Sequence, residues 1–274
     1  MRVRSWPLPT YYFVLLALLY LPLIILLLFA FNSGTILVFP LKGLTLKWFE
    51  QLFATEALMR SLRNSVMVAA GSSIVATVLA TCGAIAFVRF RFKGKGLFIT
   101  VALLPLYVPF IVLGVALLLL FSSLGIPRSL LTIGAAHSVV ALPYAMLIIT
   151  ARLVGFDPHL EEAAMSLGAN YWHTLRRVIL PLIAPAIVAA WLTAFTVSFD
   201  EFAIANLLVG REPTLPVYLY SQLRMTARLP LVVAMAALVM VGTLSIFVTL
   251  LWLRRVLART PASAAVASTL SARA

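Results

Sequence analysis

Residues 156–181 read FDPHLEEAAMSLGANYWHTLRRVILP, a polar-rich interruption between two apolar stretches. Its punctuation predicts two short helices. Asp157 is a good N-cap because its carboxylate accepts from the unpaired amides of a first turn, and Pro158 suits the first helical position, where no amide partner is lost. Glu161 and Glu162 lie near the positive end of that helix, Ala163 and Ala164 are strong helix formers, and Gly168 can take the left-handed conformation that closes a helix. Asn170 then caps a second helix with Arg176 and Arg177 at the end where the dipole favours cations, before Pro181 opens the next apolar span. Ala163, Ala164, Gly168 and Ala169 keep one side of this elbow small enough for another protein's backbone to approach. From these residues alone, the elbow is either a docking piece or an amphipathic connector lying on lipid headgroups.

The rest of the chain decides what the elbow interrupts. Of 274 residues, 63% are hydrophobic and 11% charged, with a mean hydropathy of +1.09, so lipid is the solvent for most of the chain. A bilayer core of about 30 Å takes roughly 20 apolar residues per helix, and six such spans with their loops fill the length. The expectation is therefore an all-α polytopic membrane protein forming one transmembrane domain over 1–274, with a core at 61–256 and a disordered cytosolic tail from about 259 to 274. The net charge of +13 does not point to nucleic acid. Arg89, Arg91, Lys93 and Lys95, and likewise Arg254, Arg255 and Arg259, sit beside apolar spans with no aromatic-interleaved basic face. The single Cys82 lies in an apolar run, which excludes a disulfide framework and a Cys/His metal cluster and leaves a small packing residue.

In chain order, the apolar run Tyr11–Phe31 is too long for a signal peptide and ends without a convincing cleavage site, so it reads as a retained first span. An outer loop follows, within which Leu44–Leu52 is amphipathic, with Trp48 and Phe49 suited to the membrane interface. The second span, Ser65–Val88, is rich in Ala, Gly, Ser and Thr. Small residues mark a helix packed among others in lipid. The third span, Leu97–Phe121, holds Pro105 and Pro109; the fourth, Leu130–Leu153, holds His137 and Pro143. The fifth, Leu182–Leu208, carries Asp200 and Glu201, and the sixth is Leu231–Leu253. With residues 1–10, 89–96, 152–181 and 254–274 inside, 13 of the 21 Lys and Arg residues are cytosolic and 8 are outside. The excess orients both termini and the elbow toward the cytosol.

Glu162-Ala163-Ala164, three residues, Gly168, nine residues, then Val178-Ile179-Leu180-Pro181 resembles the EAA motif of the permeases of ATP-binding-cassette (ABC) importers, with Val178 the one departure. GLTLKWFEQLF (43–53), LRNSVMVA (62–69), VRFRFKGK (88–95), SFDEF (198–202) and TLPVYLYSQLR (214–224) resemble the spermidine/putrescine-type branch in particular, so the likeness spans nearly the whole chain. It implies a type I importer permease bundle of about six helices. It also implies that Glu162, Ala163, Ala164, Gly168, Leu180 and Pro181 couple the permease to a cytosolic ATPase. The implied partners are a second, similar permease, two copies of that ATPase and a periplasmic substrate-binding protein. Many polyamine permeases carry an acidic residue where Phe110 stands here, and the branch extends to iron, thiamine and other small solutes.

No phosphate-cradling Gly-x-x-x-x-Gly-Lys-[Ser/Thr], no nucleophile-base pair and no metal-ligand spacing occurs in the chain, so ATP is expected to be handled by a partner, and neither catalysis nor a cofactor is expected. Burying one ionised carboxylate in a membrane helix costs roughly 2.5 kcal/mol or more. Asp200 and Glu201 therefore need a reason to be there. Successive helical positions point about 100° apart, so at most one of the two faces a substrate path squarely. Either the pair forms a cation-attracting station in the outer half of the path, or it makes an interhelical salt bridge or cap. His137 is either a second path residue or a histidine bonded to a neighbouring helix. A proton- or cation-coupled secondary transporter that uses the two carboxylates as a relay is the alternative to an ATP-driven importer.

Overall fold

The computed structural model describes residues 7–155, 157 and 159–258. Pro158, Arg2, Arg4 and the expected tail from 259 lie outside them. The described chain is helical: α1 (Pro7–Ala30), α2 (Lys47–Ala54), α3 (Glu56–Arg89), α4 (Lys95–Leu103), α5 (Phe110–Ser123), α6 (Leu130–Val154), α7 (His159–Ser166), α8 (Tyr171–Thr174), α9 (Leu180–Asp200), α10 (Ala203–Leu208), α11 (Leu215–Leu223) and α12 (Leu229–Ala258). Among the described residues, four helical segments are long and apolar enough to cross a membrane: Thr10–Ala30, Glu56–Arg89, Leu130–Val154 and Tyr171–Asp200. Lys95–Leu106 and Phe110–Ser123 pass the same test only together, across a 106° bend, and count as a fifth span when taken as one; Leu229–Ser245 within α12 is a shorter apolar stretch.

The chain forms two compact units, one of residues 1–55 with 222–274, the other of residues 56–221. In the first, α12 packs on α1 and α2. Trp48, expected at the membrane interface, is buried and donates its Nε1 hydrogen to the Asn32 carbonyl at 2.7 Å.

In the second unit α3, α6 and α9 pack pairwise. Small residues permit this: Ala76, Ala141 and Ala194 meet at the middle, with Ala80, Ala84, Ala145 and Ala190 beside them toward the elbow end. Lipid tails are as apolar as any side chain, so close contact of small surfaces, rather than burial from water, holds such helices together. Cys82, expected to pack, instead lies on the exposed side of α3. The α3 helix also starts nine residues before the expected Ser65, because Leu58, Ser61 and Asn64 are already buried. Asn64 donates to the Pro213 carbonyl at 3.1 Å, and the Leu215 amide donates to Ser65 Oγ at 2.8 Å, tying the start of α3 to the loop before α11.

The third span breaks where two prolines remove amide donors. After α4 a 3-10 turn covers Leu104–Leu106, and Pro109, with ψ 133, is extended before α5 begins. Gly210 sets the approach of the loop after α10 to the turn before α6: a Cβ there would lie 2.3 Å from the Arg128 carbonyl oxygen. Backbone must move to admit it. Gly210→Ala is expected to cost about 1–3 kcal/mol, as overpacking does. Gly71→Ala, where a Cβ meets nothing within 4 Å, is the matched control. Thermal unfolding of the two variants in detergent checks the difference.

Candidate functional site: the elbow and the break in the fifth span

The elbow folds through its own side chains. Asp157 Oδ1 accepts from the His159 amide at 3.0 Å, starting α7. Gly168 closes it with φ +87, where the Ala169 amide reaches back to the Ala164 carbonyl at 3.1 Å and the Gly168 amide to that of Met165 at 3.0 Å. That paired closure needs a residue that tolerates positive φ. Asn170 Oδ1 accepts from the His173 amide at 2.9 Å and so caps α8.

From here the structure departs from the expected two separate helices. A π-helical turn over Leu175–Ile179 joins α8 directly to α9, and Leu180 and Pro181 begin that helix. Pro181 has no amide to offer and its ring crowds the preceding turn, a conflict the wider turn relieves. The second half of the elbow is thus the foot of the fifth span, one continuous apolar helix over Tyr171–Asp200.

Glu162 and Ala163 are exposed and Ala164 is half-buried. Glu162 meets His159 Nδ1 at 3.2 Å. Met165 and Leu160 are exposed as well, and Leu167 stands 89% exposed beside Gly168. Glu161 instead turns inward and pairs with Arg89 at the end of α3, at 2.5 Å. Beside this pair, Phe90 and Tyr171 meet edge-on with ring centres 5.6 Å apart. A concave surface lined by Ala164, Gly168, Asn170, His173 and Arg177 opens next to Leu167.

At the other end of α9 the two adjacent carboxylates separate. The helix stops at Asp200, Glu201 is extended, and α10 begins at Ala203. Glu201 is buried and its carboxylate accepts from the Ile204 amide at 2.9 and 3.1 Å and from the Ala205 amide at 3.0 Å. Its other neighbour is His137 of α6, with Nε2 3.2 Å from Oε2. His137 Nδ1 lies 2.8 Å from Ser198 Oγ, which in turn accepts from Ser72 Oγ of α3 at 2.8 Å. Ser72 thus donates to Ser198, and His137 bridges Ser198 through Nδ1 and the Glu201 carboxylate through Nε2. This seam links the three packed helices and caps the short one. Asp200 is exposed and has no hydrogen-bond or ion-pair partner among the described residues. On the same helix Trp191, Phe195 and Phe199 follow one another, the last two stacked at 5.9 Å. Phe110 heads α5 and packs with the cluster around Ile204 and Leu208.

The family of binding-protein-dependent transport system inner membrane components matches residues 73–259. This chain belongs to that family. The permease is 36% identical over 237 residues to the spermidine/putrescine transport system permease protein PotC of Haemophilus influenzae, covering 86% of this chain and 91% of the relative. It is also 36% identical over 242 residues to the putrescine transport system permease protein PotI of Escherichia coli K12, covering 85% of each. Its fold is that of ABC importer permeases. A chain of a bacterial ABC transporter involved in the import of the acidic polysaccharide alginate superimposes with a TM-score of 0.72 at 16% identity, over 91% of the permease and 97% of that chain.

Of the site residues expected from sequence, Glu162, Ala163, Ala164 and Gly168 share the elbow, and Leu180 and Pro181 stand at the foot of the permease's fifth span. His137 and Glu201 come together in the buried seam, and Asp200 does not join them. Ser72 and Ser198 were not named as site residues; Ser198 is the first residue of SFDEF, and a hydroxyl there inside an apolar helix is the signal that could have found it.

Proposed function

We propose that this permease carries a small cationic solute, a polyamine first, across the inner membrane, driven by an ATPase that docks on the elbow. The observation that carries the substrate class is Asp200: a carboxylate left unpaired where the fifth span breaks, beside a Glu201 whose charge is already met by two amides and a histidine. A cationic substrate supplies the compensation that Asp200 otherwise lacks. The names of the relatives support the same class. The docking role rests on the exposed Glu162, Ala163 and Gly168 with Leu167 projecting beside them, a surface of small residues and one apolar knob.

The assembly in this reading contains a second permease, two ATPase copies and a periplasmic binding protein; a related alginate transporter has been solved with its substrate-bound periplasmic protein. Both termini and the elbow face the cytosol, following the Lys and Arg excess. The test is uptake by the complete importer in proteoliposomes. Labelled spermidine or putrescine is expected to enter only with ATP on the elbow side and binding protein on the other, and to be indifferent to ionophores. Uptake that collapses with the ion gradient and ignores ATP would favour the secondary-transporter alternative. Cysteines at Lys93 and Arg211 should label only from the cytosol and only from outside, respectively; reversed labelling overturns the orientation.

A further inference from the structure

The elbow helix α7 is inside out for a peptide lying against a membrane protein. Among its described residues Glu161 alone is buried, whereas the apolar Leu160 and Met165 face outward. An amphipathic helix held by its apolar side would show the reverse. Its inward hold is instead the ion pair between Glu161 and Arg89, the last residue of α3, at 2.5 Å with both side chains largely covered. The elbow's other end has a different attachment, since α8 runs through the π turn into α9. The chain itself therefore joins the elbow to α6 before it and to α9 after it, whereas α3, the third packed helix, is reached only across the chain, through this charged contact.

We propose that the Arg89–Glu161 pair is the fastening through which movement of the elbow reaches α3, so that α3 and α9 move together when the ATPase closes. The proposal rests on the docking role given to the elbow above. A charged pair suits the task because it joins α7 to the end of α3 at one point, about which α7 can pivot. The α3 helix is the right target: it carries Ser72 of the buried seam and packs on both α6 and α9. Arg89 and Glu161 touch neither ATP nor solute and act as positioning residues.

The test uses the complete importer in proteoliposomes and reads two quantities, the ATPase retained by the purified permease and the solute moved per ATP hydrolysed. Arg89→Glu and Glu161→Arg are each expected to retain the ATPase while solute per ATP falls roughly tenfold, a usual size for a coupling term. Combining the two restores the pair with reversed sign, and coupling should return to within about twofold. Native coupling in both single variants, or a double variant no better than the singles, overturns the proposal. If the single variants do not assemble, Arg89→Cys with Glu161→Cys in a Cys82→Ser background replaces them. Bridged by a short reducible bifunctional thiol reagent, that protein should couple well, and after reduction poorly, within one folded sample; equal coupling in both states also overturns the proposal. Failure of the docking reading looks different, because a Gly168→Asp permease would then keep both its ATPase and its uptake.

Discussion

Gly168→Asp is expected to abolish ATP-driven uptake while leaving the permease folded and in the membrane. Gly168 sits at φ +87 with open space where a Cβ would be. Most side chains lose about 1–2 kcal/mol in that conformation, and aspartate, which tolerates it better than most, loses less. The turn should therefore survive, with α7 still closed by the Ala169 and Gly168 amides. What changes is the surface. A carboxylate would project from the floor of the concavity lined by Ala164, Asn170 and His173, where the proposed partner must come close. Loss of a central contact of this kind costs about 2 kcal/mol or more, a factor of roughly thirty in affinity. The ATPase retained on the solubilised permease and uptake in proteoliposomes should fall together, with thermal stability little changed. Normal uptake in this variant would remove the elbow as the docking site.

How much of this was legible in the sequence depends on how local the cause is. Asp157, Gly168 and Asn170 act on backbone groups within a few residues of themselves, so the elbow could be read from composition and spacing. The small residues of α3 likewise announce a packed helix, because close approach in lipid needs them. Pro105 and Pro109 mark a break, though not its angle of 106°, which depends on what α4 and α5 pack against. The break after Asp200 is different, for SFDEF contains neither Gly nor Pro. It forms because Glu201 gains the Ile204 and Ala205 amides and His137 together, and only the fold assembles those partners. Glu161 was read as a complement to the helix dipole, a local role. Its actual neighbour Arg89 is far away in sequence and carries no mark to pair the two. The π turn before Pro181 is local in cause, yet it adds no residue type of its own and so merges two expected elements without a signal.

Asp200→Asn is expected to slow uptake of a cationic solute about tenfold without loosening the protein. The substitution keeps the shape of the side chain and its capacity to accept hydrogen bonds while removing the charge. No fold contact is lost, since among the described residues Asp200 has no partner. An ammonium about 4 Å from a carboxylate is attracted by about 4 kcal/mol at an effective dielectric of 20, and desolvation returns a large part of that. A net effect of about 1.4 kcal/mol is tenfold. The adjacent residue gives the contrast. Glu201→Ala strips the Ile204 and Ala205 amides of their acceptor and leaves His137 Nε2 facing nothing, so it should destabilise α10 by about 1–3 kcal/mol per group left unmet. Thermal unfolding in detergent and polyamine uptake, measured on both variants, should therefore separate: Asp200→Asn stable and slow, Glu201→Ala unstable. The position of Asp200 also sets where the charge acts. In the orientation proposed above it stands at the outer end of α9, twenty residues beyond Leu180 or roughly 30 Å at 1.5 Å per residue, on the side where a solute handed over by a binding protein would enter. A carboxylate there repels anions as it attracts cations. Asp200→Asn should accordingly leave uptake of a neutral solute, if the importer accepts one, unchanged. Polyamine uptake at the native rate by an assembled Asp200→Asn importer would make Asp200 structural, and uptake of an anion by the native importer would end the charge argument.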